Sequence, residues 1–322
     1  MADVNDAAQR LNDLLDVQEV RIATVFRTAI EALKDEIDLN DLADLIAQGR
    51  IVDALDRLQH AAEALGAASN VAFVTAGQST ADFLTGANIG RLVFNQVNVG
   101  AVAAMQRNSL TLIREFTAEQ RRATNLALVS GVEAAINPIA QARNFRDSIG
   151  LTERQWQAVA NYRAALERVH VDPAAAADAV GRALRDGRGD SQVRRAARDA
   201  TALKPDKINW LVERYTARYV KHRSEVIGRT EALRAVHQGN EEMYRQAIED
   251  GTIDPDKIVR KWVTRLDGRE RETHLLLNNQ ERGWGETWVT RHGEIAYPGD
   301  PDAPASETIQ CRCALTTRIK QR

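Results

Sequence analysis

Two cysteines in 322 residues, both in the unit Cys311-Arg312-Cys313, are too few for a disulfide framework in a chain of this size. No apolar run approaches the ~18 residues that a membrane span needs. The amino terminus, Met1-Ala2-Asp3-Val4-Asn5-Asp6, lacks the basic-then-apolar order of a signal peptide. The expectation is a protein made and kept in the cytoplasm, or inside something assembled there, with no membrane partner. No Gly-x-x-x-x-Gly-Lys-Ser/Thr loop occurs, and the stretch from Gly181 to Gly187 has nothing that a phosphate loop requires. Long repeats, heptad series and low-complexity tracts are absent as well. What is present is 44% hydrophobic and 27% charged residues, the balance of a globular protein with length for about two domains.

A net charge of −2 conceals an asymmetry. Residues 1–60 hold thirteen acids against six bases. Between Arg182 and Arg223 there are twelve arginines and lysines, followed by Arg229 and Arg234. An acidic end and a basic middle suit a protein that touches two unlike partners, although charged faces are also common on solvated helices. Arg182, Arg185, Arg188, Arg194, Arg195 and Arg198 form the densest basic run, with almost no aromatics between them. Aromatic interleaving would point to base stacking on single strands. Without it the run suits non-specific contact with duplex phosphates or with an acidic protein surface.

Up to about residue 245 the pattern is helix after helix. Ile22, Val25, Phe26, Ala29, Ile30 and Leu33 form one apolar stripe of helical period. Leu42, Leu45 and Ile46 follow Asn40 as a candidate N-cap, and Ile51, Leu55 and Leu58 form a third short helix. Gly66, Gly77, Gly86, Gly90 and Gly100 dot the next stretch. Such a stretch forms either close-packed helices with small contact residues or broken helices. Because an interior glycine costs up to ~1 kcal/mol against alanine, broken helices are expected. A long helix resumes from near Val102 to Ala135, and Asn137-Pro138 starts another. Gly150 then ends a helix, and Thr152 with Gln155 has capping-box spacing. Pro205 opens a helix whose apolar face is Ile208, Leu211, Val212, Tyr215 and Tyr219. From about residue 258 the texture changes. Val259 to Val263, Thr287 to Val289, Glu294 to Tyr297 and Ala314 to Ile319 read as short strands between Gly, Pro and Asn turns. The fold expected is mostly α, with multi-helix N-terminal and middle regions (1–125 and 126–245) and a small C-terminal α+β domain (246–322).

The chemistry-bearing islands lie in the last hundred residues. Arg229-Thr230-Glu231 sits on a helix expected to end at Gly239. Arg229 and Glu231 point about 200° apart there, so each must reach another element. Asp267, Arg269 and Arg271 are the candidate partners, in ion pairs that lock a small domain. Asp267, Glu270, Glu272 and His274 have the chemistry for acid–base or metal work but a generic spacing. His274 reads more simply as a tether that donates to Asp267 or to a carbonyl. Cys311 and Cys313 on a strand would project the same way and can grip zinc if further ligands arrive. The expected state is two reduced thiols, one buried and one available, with no obligatory cofactor.

These islands, together with Trp262-Val263-Thr264 and Tyr297-Pro298-Gly299-Asp300-Pro301, resemble in order and spacing the C-terminal domain of the phage Mu F-like minor head proteins. Those are head-morphogenesis proteins of tailed phages. The likeness reaches back through Arg146-Asp147-Ser148, Asn161-Tyr162-Arg163, Leu184-Arg185-Asp186-Gly187-Arg188 and Tyr215-Thr216-Ala217-Arg218-Tyr219, so it covers about 130–322. In that family the positions of Arg271 and His274 can be a Cys-x-x-Cys pair, which completes four zinc ligands. Here Cys311, Cys313 and His274 remain, with His292 or Asp267 as a strained fourth. The chain also departs from the family where Asn278-Asn279-Gln280 replaces an Asp-Gly-Gln turn and Gln310 replaces an asparagine. The resemblance implies a non-enzymatic minor head protein inside the virion near the portal, present in several copies. Its partners would be the portal protein, double-stranded DNA, and scaffold or major capsid protein. Similar modules occur in polymorphic toxins, for which Glu231, Asp267 and His274 would be the catalytic candidates. A DNA-binding packaging factor not retained in the particle is the third class.

Overall fold

The computed structural model describes residues 4–48, 50, 53, 59–133 and 136–320. Among them are eleven α-helices. In chain order these begin with α1 (Val4–Asp35), α2 (Leu39–Ala47), α3 (Gln59–Gly86), α4 (Val99–Glu133) and α5 (Pro138–Ser148). They continue with α6 (Glu153–Arg168), α7 (Pro173–Gly181), α8 (Asp190–Arg198) and the 45-residue α9 (Pro205–Glu249). The C-terminal part adds β1 (Ile258–Val263), α10 (Glu272–Leu277), β2 (Glu281–Arg282), β3 (Trp288–Thr290), β4 (Gly293–Ile295), α11 (Ala305–Thr308) and β5 (Ala314–Ile319). The protein is mostly helical with a small C-terminal antiparallel α+β region, as its sequence pattern predicts.

The chain divides into two compact units. One comprises residues 1–26, 63–112 and 225–322; the other comprises 27–62 and 113–224. The boundaries fall within α1, α3, α4 and α9, so each of these helices contributes to both units.

In the second unit α2 packs on α5, α6 on α7 and α7 on α8. Its core gathers Ile30, Leu33, Phe145, Ile149, Leu151, Trp156, Leu166 and Leu211, with the Tyr162 and Tyr215 rings 4.5 Å apart. The stop between α5 and α6 has the predicted form. Gly150 takes φ +88°. Buried Gln120 accepts from its N–H at 2.8 Å and donates to the Ser148 carbonyl at 3.2 Å. Thr152 and Gln155 then make both bonds of the capping box. The cap of α2 is Asp38 rather than Asn40, because its carboxylate accepts from the Asn40 and Asp41 N–H groups at 2.8 and 3.0 Å. The helix predicted on Ile51, Leu55 and Leu58 lies outside the described residues.

In the first unit the glycine-dotted stretch is helical through Gly66 and Gly77, in the 28-residue α3, and is broken only after Gly86, before α4 starts at Val99. Its small residues are a contact surface. A Cβ on Gly239 of α9 would run into the Phe73 carbonyl oxygen and stand 3.1 Å from Ala76 Cβ. The Phe94 ring packs where a Cβ on Gly77 of α3 would stand, and such close packing offsets the glycine cost that argued for a break there. Nor is Gly239 a C-cap: α9 runs ten residues past it to Glu249. The C-terminal sheet has strand order β2-β1-β5, with Trp262 opposite Leu315 and Val263 opposite Ala314; β3 and β4 form a separate hairpin. Trp262 and Trp288 are fully buried with Leu233, Leu277, Ile295 and Leu315. Rings of this size bury ~150–250 Å², worth roughly 5 kcal/mol apiece by area.

Candidate functional site

The backbone of β5 begins just after the Cys-x-Cys unit, and pairing of β5 with β1 sets that unit beside Trp262. Helix α10 carries His274 to the same place, its ring 5.2 Å from the Trp262 ring and nearly perpendicular to it. His274 Nδ1 lies 3.4 Å from Cys311 Sγ and 3.4 Å from Cys313 Sγ. All three residues are at most 2% exposed, which corrects the expectation that one thiol is available. The Cys313 N–H donates to Cys311 Sγ at 3.4 Å.

The other side of the imidazole meets Glu307, which the sequence reading missed. Its Oε2 lies 2.9 Å from His274 Nε2, in charge contact but off the N–H axis. Glu307 Oε2 also accepts from Thr273 Oγ1 at 2.9 Å, and Oε1 from Thr290 Oγ1 at 3.1 Å. Glu307 thus packs against the Nε2 edge of the imidazole while Nδ1 faces the two sulfurs. The Cys311 thiol is held well below its ordinary range, first by its hydrogen bond with Cys313 and then by His274, against the effect of burial. The same hydrogen bond and burial push Cys313 up. The pair gives up one proton readily and the second reluctantly.

The three donor atoms lie within 4.8 Å of one another. Zinc bonds of ~2.3 Å to sulfur and ~2.0–2.1 Å to nitrogen place tetrahedral neighbours roughly 3.5 Å apart, so the N···S separations suit a metal. The fourth ligands suggested by the sequence are not there. His292 Nε2 is 3.9 Å from Glu307 Oε1 and its side chain is 42% exposed, while Asp267 is taken by Arg312.

The ion pairs of this region differ from those expected. Arg229 pairs with Glu19 of α1 at 2.5 Å, and Glu231 with Arg234 one helical turn on at 3.2 Å. Arg229 thus turns to α1, and Glu231 to its own helix, for these pairs. The residue of that island that does reach the Cys-x-Cys turn is Thr230, whose hydroxyl accepts from the Gln310 N–H at 3.2 Å. Arg271 donates to the carbonyls of Ser306, at 2.6 Å, and Ile309, fastening α10 to the α11 turn. His274 contacts Glu307 and the sulfurs rather than Asp267. Thus Glu231, Asp267 and His274 sit in three separate contacts. No spacing rule could have found Glu19 or Glu307: one lies 210 residues from its partner, and the other stands on the four-residue α11, 33 residues from His274 with no motif around it.

In the helical unit, four of the six arginines of the basic run are met by nearby carboxylates. Arg182 pairs with Asp178 at 2.6 Å, Arg185 with Asp190 at 2.8 Å, Arg188 with Asp186 at 2.6 Å and Arg198 with Asp199 at 2.9 Å. Asp186, whose side chain is 1% exposed, also holds Arg214 and has Arg218 at 3.9 Å.

Residues 174–316 match the family model described as Phage Mu protein F like protein. The matched segment is less than half of the chain, and it contains the basic run, all of α9 and the His274, Cys311 and Cys313 cluster. It coincides with the C-terminal part of the resemblance read from the motifs and associates this part of the chain with phage head morphogenesis. No curated protein and no solved structure matches the chain.

Proposed function

We propose that this protein is a minor structural component of a tailed-phage head, resident inside the virion near the portal. It binds the portal protein and contacts double-stranded DNA while the head is assembled, filled or emptied. Scaffold or major capsid protein are its further contacts, and it acts from the host cytoplasm into the particle in several copies. The observation that carries this reading is the Phage Mu protein F like match over 174–316. Its role is structural rather than catalytic, a reading supported by the separate engagement of Glu231, Asp267 and His274. No helix among the described residues is long and apolar enough to cross a membrane, which agrees with a role that involves none.

The same reading includes a zinc ion held by His274 Nδ1, Cys311 Sγ and Cys313 Sγ. Closed structural zinc sites take four protein ligands, so a fourth position is left for solvent. A metal on these three residues would tie α10 to the β5 turn, with Glu307 against the far edge of the His274 ring.

Co-expression with the portal protein of the same genome, followed by size-exclusion chromatography with light scattering, tests the main reading. A stable complex is expected, and its mass gives the copy number per portal ring. Folded protein that elutes alone beside an intact portal ring would overturn it.

A further inference from the structure

We infer that the nucleic-acid contact of this protein is a preordered cationic ridge along the first part of α9, joined by Arg188, rather than the rest of the arginine run that precedes it. Lys207, Trp210, Arg214, Arg218 and Lys221 follow one another at intervals of three and four residues, so they lie on one stripe of the helix over ~21 Å. Trp210 is the spine of the ridge. Lys207 Nζ stands 3.9 Å from its ring centroid, with the Arg214 and Arg188 guanidiniums at 5.3 and 5.8 Å. Cations over an indole face are held by its quadrupole without losing their charge.

Asp186 supplies the second constraint. This one buried carboxylate is shared by Arg188, Arg214 and Arg218, whose side chains stay 65%, 41% and 44% exposed. One negative charge fixes three guanidiniums and cannot neutralise them, so the ridge keeps a strong positive excess facing solvent. Ordering the arginines before the ligand arrives lowers the entropy lost on binding. Two grooves of about 390 Å³ each flank the ridge, one reaching Lys207 and the other Trp210. The first adds Arg195 and Lys204 with Asp199; the second is walled by Arg214, Arg218 and Lys221 with Glu213.

A linear array of one sign fits a linear polyanion. Guanidinium forks match phosphate oxygens in pairs, and duplex DNA presents on the order of twelve phosphates over this length. An acidic protein would fit less well, because protein interfaces need an apolar core depleted of charge and the exposed ridge offers cations instead. The arginine run is a poorer candidate, since Arg182, Arg185 and Arg198 are each met by a carboxylate of their own.

This inference rests on the DNA-contact part of the proposed function, and the test separates the two. The full chain is titrated against a fluorescent duplex of about 20 base pairs by anisotropy, between about 50 and 200 mM salt. Wild type should bind with a log–log salt slope near −0.9 per phosphate neutralised. K207Q and R188Q should each weaken binding severalfold and make the slope shallower by about 0.9. W210L should weaken it while leaving every charge in place, and R194Q on α8 should change nothing. Salt-dependent binding that ignores K207Q and R188Q but falls with R194Q overturns the ridge and keeps the DNA contact. Absence of salt-dependent binding by wild type overturns both, and displacement of the duplex by polyglutamate at equal charge assigns the ridge to an acidic protein. Lys207 makes no ion pair among the described residues, so K207Q tests the ridge even if R188Q disturbs the Asp186 cluster.

Discussion

Glu307 presents Oε2 2.9 Å from His274 Nε2 while the opposite ring nitrogen stands 3.4 Å from both cysteine sulfurs. This places a carboxylate behind the ring of a candidate metal-binding histidine, and such outer partners typically alter metal affinity 10–100-fold. We expect protein purified without chelator to carry about one zinc per chain by elemental analysis. E307Q should retain zinc with roughly 10–100-fold weaker affinity in competition with a chromophoric chelator, and C311S should lose it. Zinc-free wild type, unable to compete for added metal, would refute the site.

Gly239 and Phe73 mark the closest approach of α9 to α3. A methyl group at 239 meets a backbone carbonyl, which cannot move aside as a side-chain tip can. Gly239→Ala should therefore destabilise the protein by about 1–3 kcal/mol, although alanine is the better helix former. Urea denaturation at constant m-value measures this. A stabilised variant would mean that the helices do not approach so closely.

Periodicity made α1, the capping box of α6, the start of α9 and the strands β1 and β5 readable, because each announces itself within a few residues. Gly77 misled, since the Phe94 ring packs where its Cβ would stand, and that contact, which favours glycine inside α3, leaves no trace in the local pattern. The metal-type cluster was legible for His274, Cys311 and Cys313 through their residue types. It was not legible for Glu307, whose role depends on how the α11 turn folds back over α10. Arg229 was recognised as needing a distant partner, but the partner came from α1, and local pattern carries no information on pairing over 210 residues.

Both departures from the family pattern fall on left-handed backbone. Asn279 has φ +66° and Gln310 has φ +57°. Asn279 occupies the position where the related turn has glycine, and its N–H donates to the Trp262 carbonyl at 2.8 Å. Left-handed conformation costs roughly 1–2 kcal/mol for most residues, less for asparagine and nothing for glycine. N279A should therefore lower stability by about 1 kcal/mol, and N279G should leave it equal or raise it by a few tenths. Thermal melts of the two variants should move in opposite directions or by clearly unequal amounts. Equal losses would show that the asparagine side chain, not the backbone angle, matters here.

His237 is 1% exposed on α9, and its Nε2 has no hydrogen-bond partner. Burial depresses its pKa from 6.5 to about 4. The folded protein keeps this imidazole neutral while the unfolded chain takes up a proton below pH ~6.5. Between those values the unfolded state binds more protons, so stability rises with pH across the window and is lost as the solution is acidified through it. The full effect, at 1.36 kcal/mol per pKa unit, is about 3 kcal/mol. Denaturation midpoints of wild type should fall between pH 6.5 and 4 more steeply than those of H237N, which has no titrating group at this position. H237N should also be the less stable protein at pH 7, because asparagine fills less of the buried site. Parallel pH profiles for the two proteins would show that another group controls acid stability.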